Sequence, residues 1–146
     1  VNGPPVAEPI GLELSRTAKL VSRAFDDALA AAGGSLPVWL VLVTVKAQSA
    51  APQRRLAEAA GIEGATLTHH LNRLEAAGLV TRRRDPDNRR VQHVALTDDG
   101  QAAFFRLLEV VTTFDRRLRA GFDEHELATL RALLGRLREN ADGSAS

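Results

Sequence analysis

The run from Leu56 to Leu96, LAEAAGIEGATLTHHLNRLEAAGLVTRRRDPDNRRVQHVAL, constrains the fold more than any other part of this chain. Leu56, Ala57, Ala59 and Ala60 suit a short helix packed on the next one, and Gly61 follows where a helix closes with a positive φ that only glycine adopts cheaply. After Ile62, the apolar residues Leu67, Leu71 and Leu74 recur at the period of one buried helix face. Gly64, Thr66, Thr68, His69, Asn72 and Arg73 lie on or beside the opposite face, small and hydrogen-bonding residues that suit close approach to base edges. Gly78 stops this helix, and Leu79, Val80 and Thr81 begin an extended run.

The extended run continues through Arg82, Arg83 and Arg84, turns at Asp85, Pro86, Asp87 and Asn88, and returns from Arg89 and Arg90 to Leu96. Pro, Asp and Asn preset φ or bond their own backbone, which predicts a β-hairpin with a flexible tip. Helix, glycine-closed junction, helix and basic hairpin make a winged helix-turn-helix, mainly α with a small β-hairpin wing. Each part has its own task on DNA: a helix for the major groove, and a basic ribbon for phosphates and the minor groove. Between Thr66 and Val94 there are six arginines against three carboxylates, although the whole chain carries only +1. The positive charge is therefore placed and not spread.

These motifs resemble the MarR family of bacterial transcriptional regulators. Its pattern is met by Leu56-Ala57, Gly61-Ile62, Thr66-Leu67-Thr68, Leu74 to Arg82, Asp85 to Arg90 and Leu96 to Gly100. His69 stands where the family often has Arg, and Asn88 where Asp or Glu is common; both departures bear on sequence preference and not on fold. The resemblance implies double-stranded operator DNA as partner. It also implies that Arg90 reaches the minor groove while paired to an acid at the start of the recognition helix, where this chain has Glu63. A third implication is a small aromatic or phenolic effector, bound in a crevice for which Arg16, Arg23, Trp39 and Val43 are candidates. From the residues alone, Trp39 is a core residue by default, because it sits in a continuous apolar helix.

Flanking the head, Leu14, Ala18, Val21, Phe25 and Leu29 mark one helix, and Ser35 with Pro37 starts a second, apolar almost all round. Beyond the hairpin, Thr97 serves as N-cap of a long helix with Phe104, Leu107, Leu108, Val111, Phe114 and Leu118 inward. Asp123 and Glu126 form a capping-box start for a last helix bearing Leu127, Leu130, Leu134 and Leu137. Those outer helices carry more apolar surface than a small winged head covers, which points to a homodimer; packing within one chain is the alternative. The organisation expected is a disordered tail over 1–9, a single domain over 10–140 and a second tail over 141–146. Within the domain, 10–34 and 98–140 are dimerisation helices and 35–97 is the winged helix-turn-helix.

The chain has no cysteine and no methionine, so oxidant sensing by sulfur chemistry is set aside. No metal-ligand spacing, phosphate loop or nucleophile elbow is present, and adjacent His69 and His70 cannot share the i, i+4 geometry of a metal pair. The expectation is therefore no enzyme, no catalytic residue, no metal and no cofactor. Without an apolar segment long enough for a signal or a membrane span, the expected place is the cytoplasm. The leading reading is a homodimeric repressor of a pseudo-palindromic operator released by the effector. The alternative is a ligand-independent or architectural DNA binder with the same head. Arg82, Arg83, Arg84, Arg89 and Arg90 are the wing's candidate DNA contacts, although alternation on a strand prevents Arg82, Arg83 and Arg84 from sharing one partner.

Overall fold

The computed structural model describes residues 7–48 and 50–143. Among them are six helices and three strands: α1 (Ile10–Ala31), α2 (Leu36–Ala47), β1 (Ala51–Pro52), α3 (Gln53–Ala60), α4 (Gly64–Ala76), β2 (Val80–Arg84), β3 (Gln92–Leu96), α5 (Asp98–Leu118) and α6 (Glu124–Asp142). The chain divides after Val111 into two compact units, and the cut falls within α5. Most of the first expected tail lies outside the described residues, while α6 runs two residues past the predicted helix end.

Local chemistry sets the element ends. The Ser35 hydroxyl accepts from Val38 N at 3.3 Å to start α2, and Thr97 Oγ1 accepts from Gly100 N at 3.0 Å to start α5. Asp123 and Glu126 close the predicted capping box on α6. Gly61 ends α3 at φ 66°, the left-handed turn its sequence position required.

In the first unit, α2 runs through the core and buries Trp39, Val41, Leu42 and Val45. Leu56 of α3, Leu67 and Leu71 of α4, Val80 of β2, Val94 of β3 and Leu107 of α5 are buried in the same cluster. The sheet is antiparallel in the order β1-β3-β2, with Val80 opposite Leu96 and Arg84 opposite Gln92. Strand β1 was not foreseen, because two residues show no alternation. Its pairing of Ala51 with Val94 ties the chain before α3 to the hairpin.

Apolar surface is left over, as expected, but not on every residue predicted to be inward. On α1 only Leu29 is buried, and Ile10, Leu12, Leu14 and Leu20 are exposed. On α5, Phe104 and Leu107 are buried while Leu108 is exposed. In the second unit Phe114 and Leu127 are buried, and Leu118, Phe122, Leu130 and Leu133 stand out to solvent. Leu108 and Leu118 thus depart from the inward set, because no layer among the described residues covers them. No single helix of the described residues is long and apolar enough to cross a membrane.

Candidate nucleic-acid interface

Helix α4 is pinned by Leu67, Leu71 and Leu74, all buried, which turns Thr66, His69, Asn72 and Arg73 outward into solvent. Gly64 opens the helix with empty space where a Cβ would stand, so backbone can come close to a ligand there. Thr68 is half-buried and already engaged: its hydroxyl donates to the Gly64 carbonyl at 3.0 Å and accepts from Gln53 Nε2 at 2.8 Å. Having spent its one proton, Thr68 has only an acceptor lone pair or its methyl to offer an outside partner. The His69 and His70 rings stand edge to face at 5.7 Å. Burial, helped by the neighbouring His69 and Arg73, holds the pKa of His70 below its usual value, so this ring is neutral in the physiological range.

The hairpin tip, expected to be flexible, is instead cross-braced. Asp85 Oδ1 accepts from the backbone of Asp87 at 2.7 Å and of Asn88 at 3.1 Å, and Asn88 Oδ1 accepts from Arg90 N at 3.2 Å. Asp85 N donates to the Val91 carbonyl at 2.9 Å, which closes the loop. His93 then fastens the tip to the rest of the head: Nε2 faces Asp85 Oδ2 at 2.8 Å, and Nδ1 faces the Ala50 carbonyl at 2.6 Å. Two acceptors on one imidazole are both satisfied only by the imidazolium. Consistently, the Asp85 bond first and the Ala50 bond second raise the pKa of His93, and the His93 bond lowers that of Asp85.

The five wing arginines divide. Arg82 turns back onto α4, where Nη2 donates to Asn72 Oδ1 at 2.6 Å and to Glu75 Oε1 at 2.9 Å, while Nε donates to Glu75 Oε2 at 3.3 Å. Its side chain is only 15% exposed, so it is committed within the protein. The hydrogen bond from Arg82 holds the Glu75 carboxyl below the usual carboxylate range. Arg83, Arg84, Arg89 and Arg90 are exposed. Arg84 lies on the sheet face of Arg82 and Arg83 on the other, the alternation their spacing required.

Between α3, the start of α4 and the wing runs an open groove of about 1440 Å³. It gathers six arginines, Arg54, Arg55, Arg82, Arg84, Arg89 and Arg90, against two carboxylates, Glu58 and Glu63. Arg54 and Arg55 were absent from the sequence-based set. Their signal was adjacent cations at the start of a helix otherwise read as support. Glu63 and Arg90 line this same groove but form no ion pair among the described residues.

The predicted effector crevice does not assemble from its four residues within this chain. Trp39 is 8% exposed and stacks on Phe104, centroids 5.6 Å apart and planes at 9°. Val43 packs beside the core, Arg16 pairs with Glu8 at 2.6 Å on exposed α1, and Arg23 lines a shallow groove of the same helix. The ammonium of Lys46 lies 5.8 Å from the Phe104 ring centre and 5.2 Å from that of Phe105.

A family model described as the MarR family matches residues 35–91 of the chain. The HTH-type transcriptional regulator PecS of Dickeya dadantii (strain 3937) is 34% identical over 130 residues, spanning 87% of this chain and 78% of that protein. Among solved structures, a transcriptional regulator (MarR family) from Rhodococcus sp. RHA1 is 27% identical with a TM-score of 0.75, over 90% of this chain and 94% of that one. Bordetella bronchiseptica BpsR, whose structure concerns regulation of its DNA binding by 6-hydroxynicotinic acid, aligns with a TM-score of 0.77 at 24% identity, over 90% of this chain and 99% of that one. At that identity the likeness to BpsR is one of fold.

Proposed function

Because the chain belongs to the MarR family of DNA-binding transcriptional regulators and is not an enzyme, we propose that it acts as a homodimeric repressor of a pseudo-palindromic operator, released by a small aromatic or phenolic effector. The observation that carries this reading is the placement of an arginine-lined groove beside the exposed face of α4. Helix α4 offers His69, Asn72 and Arg73 to base edges, with Thr66 and Gly64 near its start for close backbone approach. Arg83, Arg84, Arg89 and Arg90 supply the phosphate and minor-groove contacts, and Arg54 and Arg55 extend them along α3. Glu63 and Arg90, which form no ion pair with each other among the described residues but line one groove, come together when the wing enters the minor groove. The place of action is the cytoplasm, where operator DNA is.

Repression needs two heads at a fixed separation and a ligand that favours another. The uncovered apolar residues of α1, α5 and α6 supply the surface for a second copy. An aromatic anion that lowers operator affinity is supported by the regulation of BpsR by 6-hydroxynicotinic acid. One observation favours the second reading, a ligand-independent DNA binder: Trp39 is already stacked and shielded, and Arg16 and Arg23 stand out on α1. The test follows Trp39 fluorescence during titration with salicylate and 6-hydroxynicotinate, with and without bound operator. The repressor reading expects binding weakened by operator through the same factor by which the ligand weakens operator, roughly 5- to 150-fold for a coupling of usual size. Equal affinity in both conditions, or no binding, selects the ligand-independent reading.

A further inference from the structure

The contact between Arg82 and Asn72 bears on which base this head prefers. A guanidinium has only donors, so the Asn72 atom 2.6 Å from Arg82 Nη2 is its amide oxygen. The oxygen is held at the wing, and the edge of the amide left for an outside partner is the Nδ2 donor. Arg82 cannot easily move away, because Glu75 grips the same guanidinium through both carboxylate oxygens and the side chain is largely shielded. Asn72 itself is exposed on the outward face of α4.

We infer that Arg82 is a specificity-determining positioning residue: by pinning the amide oxygen of Asn72, it presents that side chain to DNA as a donor. A free asparagine in the major groove reads adenine by donating to N7 while accepting from N6. With its oxygen turned to the wing, Asn72 favours edges that offer acceptors, guanine O6 and N7 or thymine O4, at the base pair it meets. The wing thereby sets the chemistry of the recognition helix without touching the base. This inference rests on the reading of α4 as the DNA-facing helix.

The experiment selects DNA from a random pool with the full chain, and then measures affinities for the selected site with each base in turn. Arg82→Met keeps the shielded stem and removes every donor; Arg82→Lys keeps a cation and a donor and serves as the second variant should the first fail to fold. The expected wild-type preference is guanine or thymine at one position in each half-site. Arg82→Met should lose about fivefold of that discrimination and gain tolerance for adenine there, while other positions keep theirs. Arg82→Lys should fall between wild type and Arg82→Met. In an Asn72→Ala background, changing Arg82 should alter no base preference. A merely structural role would weaken all sequences alike, so uniform loss with unchanged preference overturns the inference while leaving the DNA reading intact. Wild-type protein that enriches no sequence defeats the DNA reading and this inference with it.

Discussion

His93 joins three segments through one ring, and its protonation is the residue-scale feature with the plainest consequence. Its pKa is raised above the ordinary 6.5 by Asp85 and by the Ala50 carbonyl, so the stabilisation is complete below 6.5 and is lost as pH rises through the higher folded value. Asp85 has the opposite sign: its pKa lies below the ordinary 3.8, so its contribution holds above 3.8 and is lost as pH falls through the lower folded value. Exposed Arg83 lies opposite His93 in the strand register, and the one influence that works against protonation is partial desolvation of the ring. The brace on the wing is thus complete from about pH 4 to 6.5 and weakens on the alkaline side. Nuclear magnetic resonance titration of the His93 ring should give a midpoint above 6.5, and His93→Gln should remove the alkaline loss of wing stability; a midpoint at or below 6.5 would contradict the brace. DNA contacts divide at the same scale. His69→Ala should relax preference at one base position by about 1–3 kcal/mol, whereas Arg89→Ala should weaken all sequences alike and flatten the salt dependence. Binding titrations on single-base variants at two salt concentrations would separate these patterns, and a uniform effect of both substitutions would refute the division.

At the scale of elements, the glycine that ends the Leu96 to Gly100 motif has a steric reason. Gly100 is buried in the first turn of α5, and a Cβ there would overlap the Leu79 carbonyl oxygen, which accepts from Thr97 N. Gly100→Ala should therefore cost about 1–3 kcal/mol or more, as overpacking against backbone does. Gly135→Ala, inside α6 and facing open space, should stabilise by about 0.5–1 kcal/mol. Denaturant unfolding of the two variants should move the midpoint in opposite directions; a shift of the same sign would refute this account of Gly100. Much of this layer was legible in the sequence, because caps and glycine stops act within a few residues: Ser35, Gly61, Thr97 and the Asp123–Glu126 box all behave as read. Strand β1 was not legible, since its residues are defined by pairing with β3 and not by any pattern of their own. The return of Arg82 to Asn72 and Glu75 was hidden for a like reason. Strand alternation separates Arg82 from Arg83 but says nothing of which face meets α4.

For the whole molecule, the apolar residues without cover support the proposed homodimer. Ile10, Leu14 and Leu20 on α1, Phe105 on α5, and Leu130 and Leu133 on α6 are exposed in the single chain. The proposed dimer buries them, and Leu130→Glu with Leu133→Glu should place unpaired charge in that seam and shift the population toward monomer. Light scattering at micromolar concentration checks this, and a stable wild-type mass of 15.7 kDa, that of one chain, would contradict the dimer. Selection of bound DNA from a random pool tests the proposed two-fold symmetry together with the arginine groove and α4. Two inverted half-sites should be enriched, their centres one helical turn, about 10 base pairs, apart or a multiple of it. Enrichment of a single asymmetric site, or of no sequence at all, would contradict the proposal.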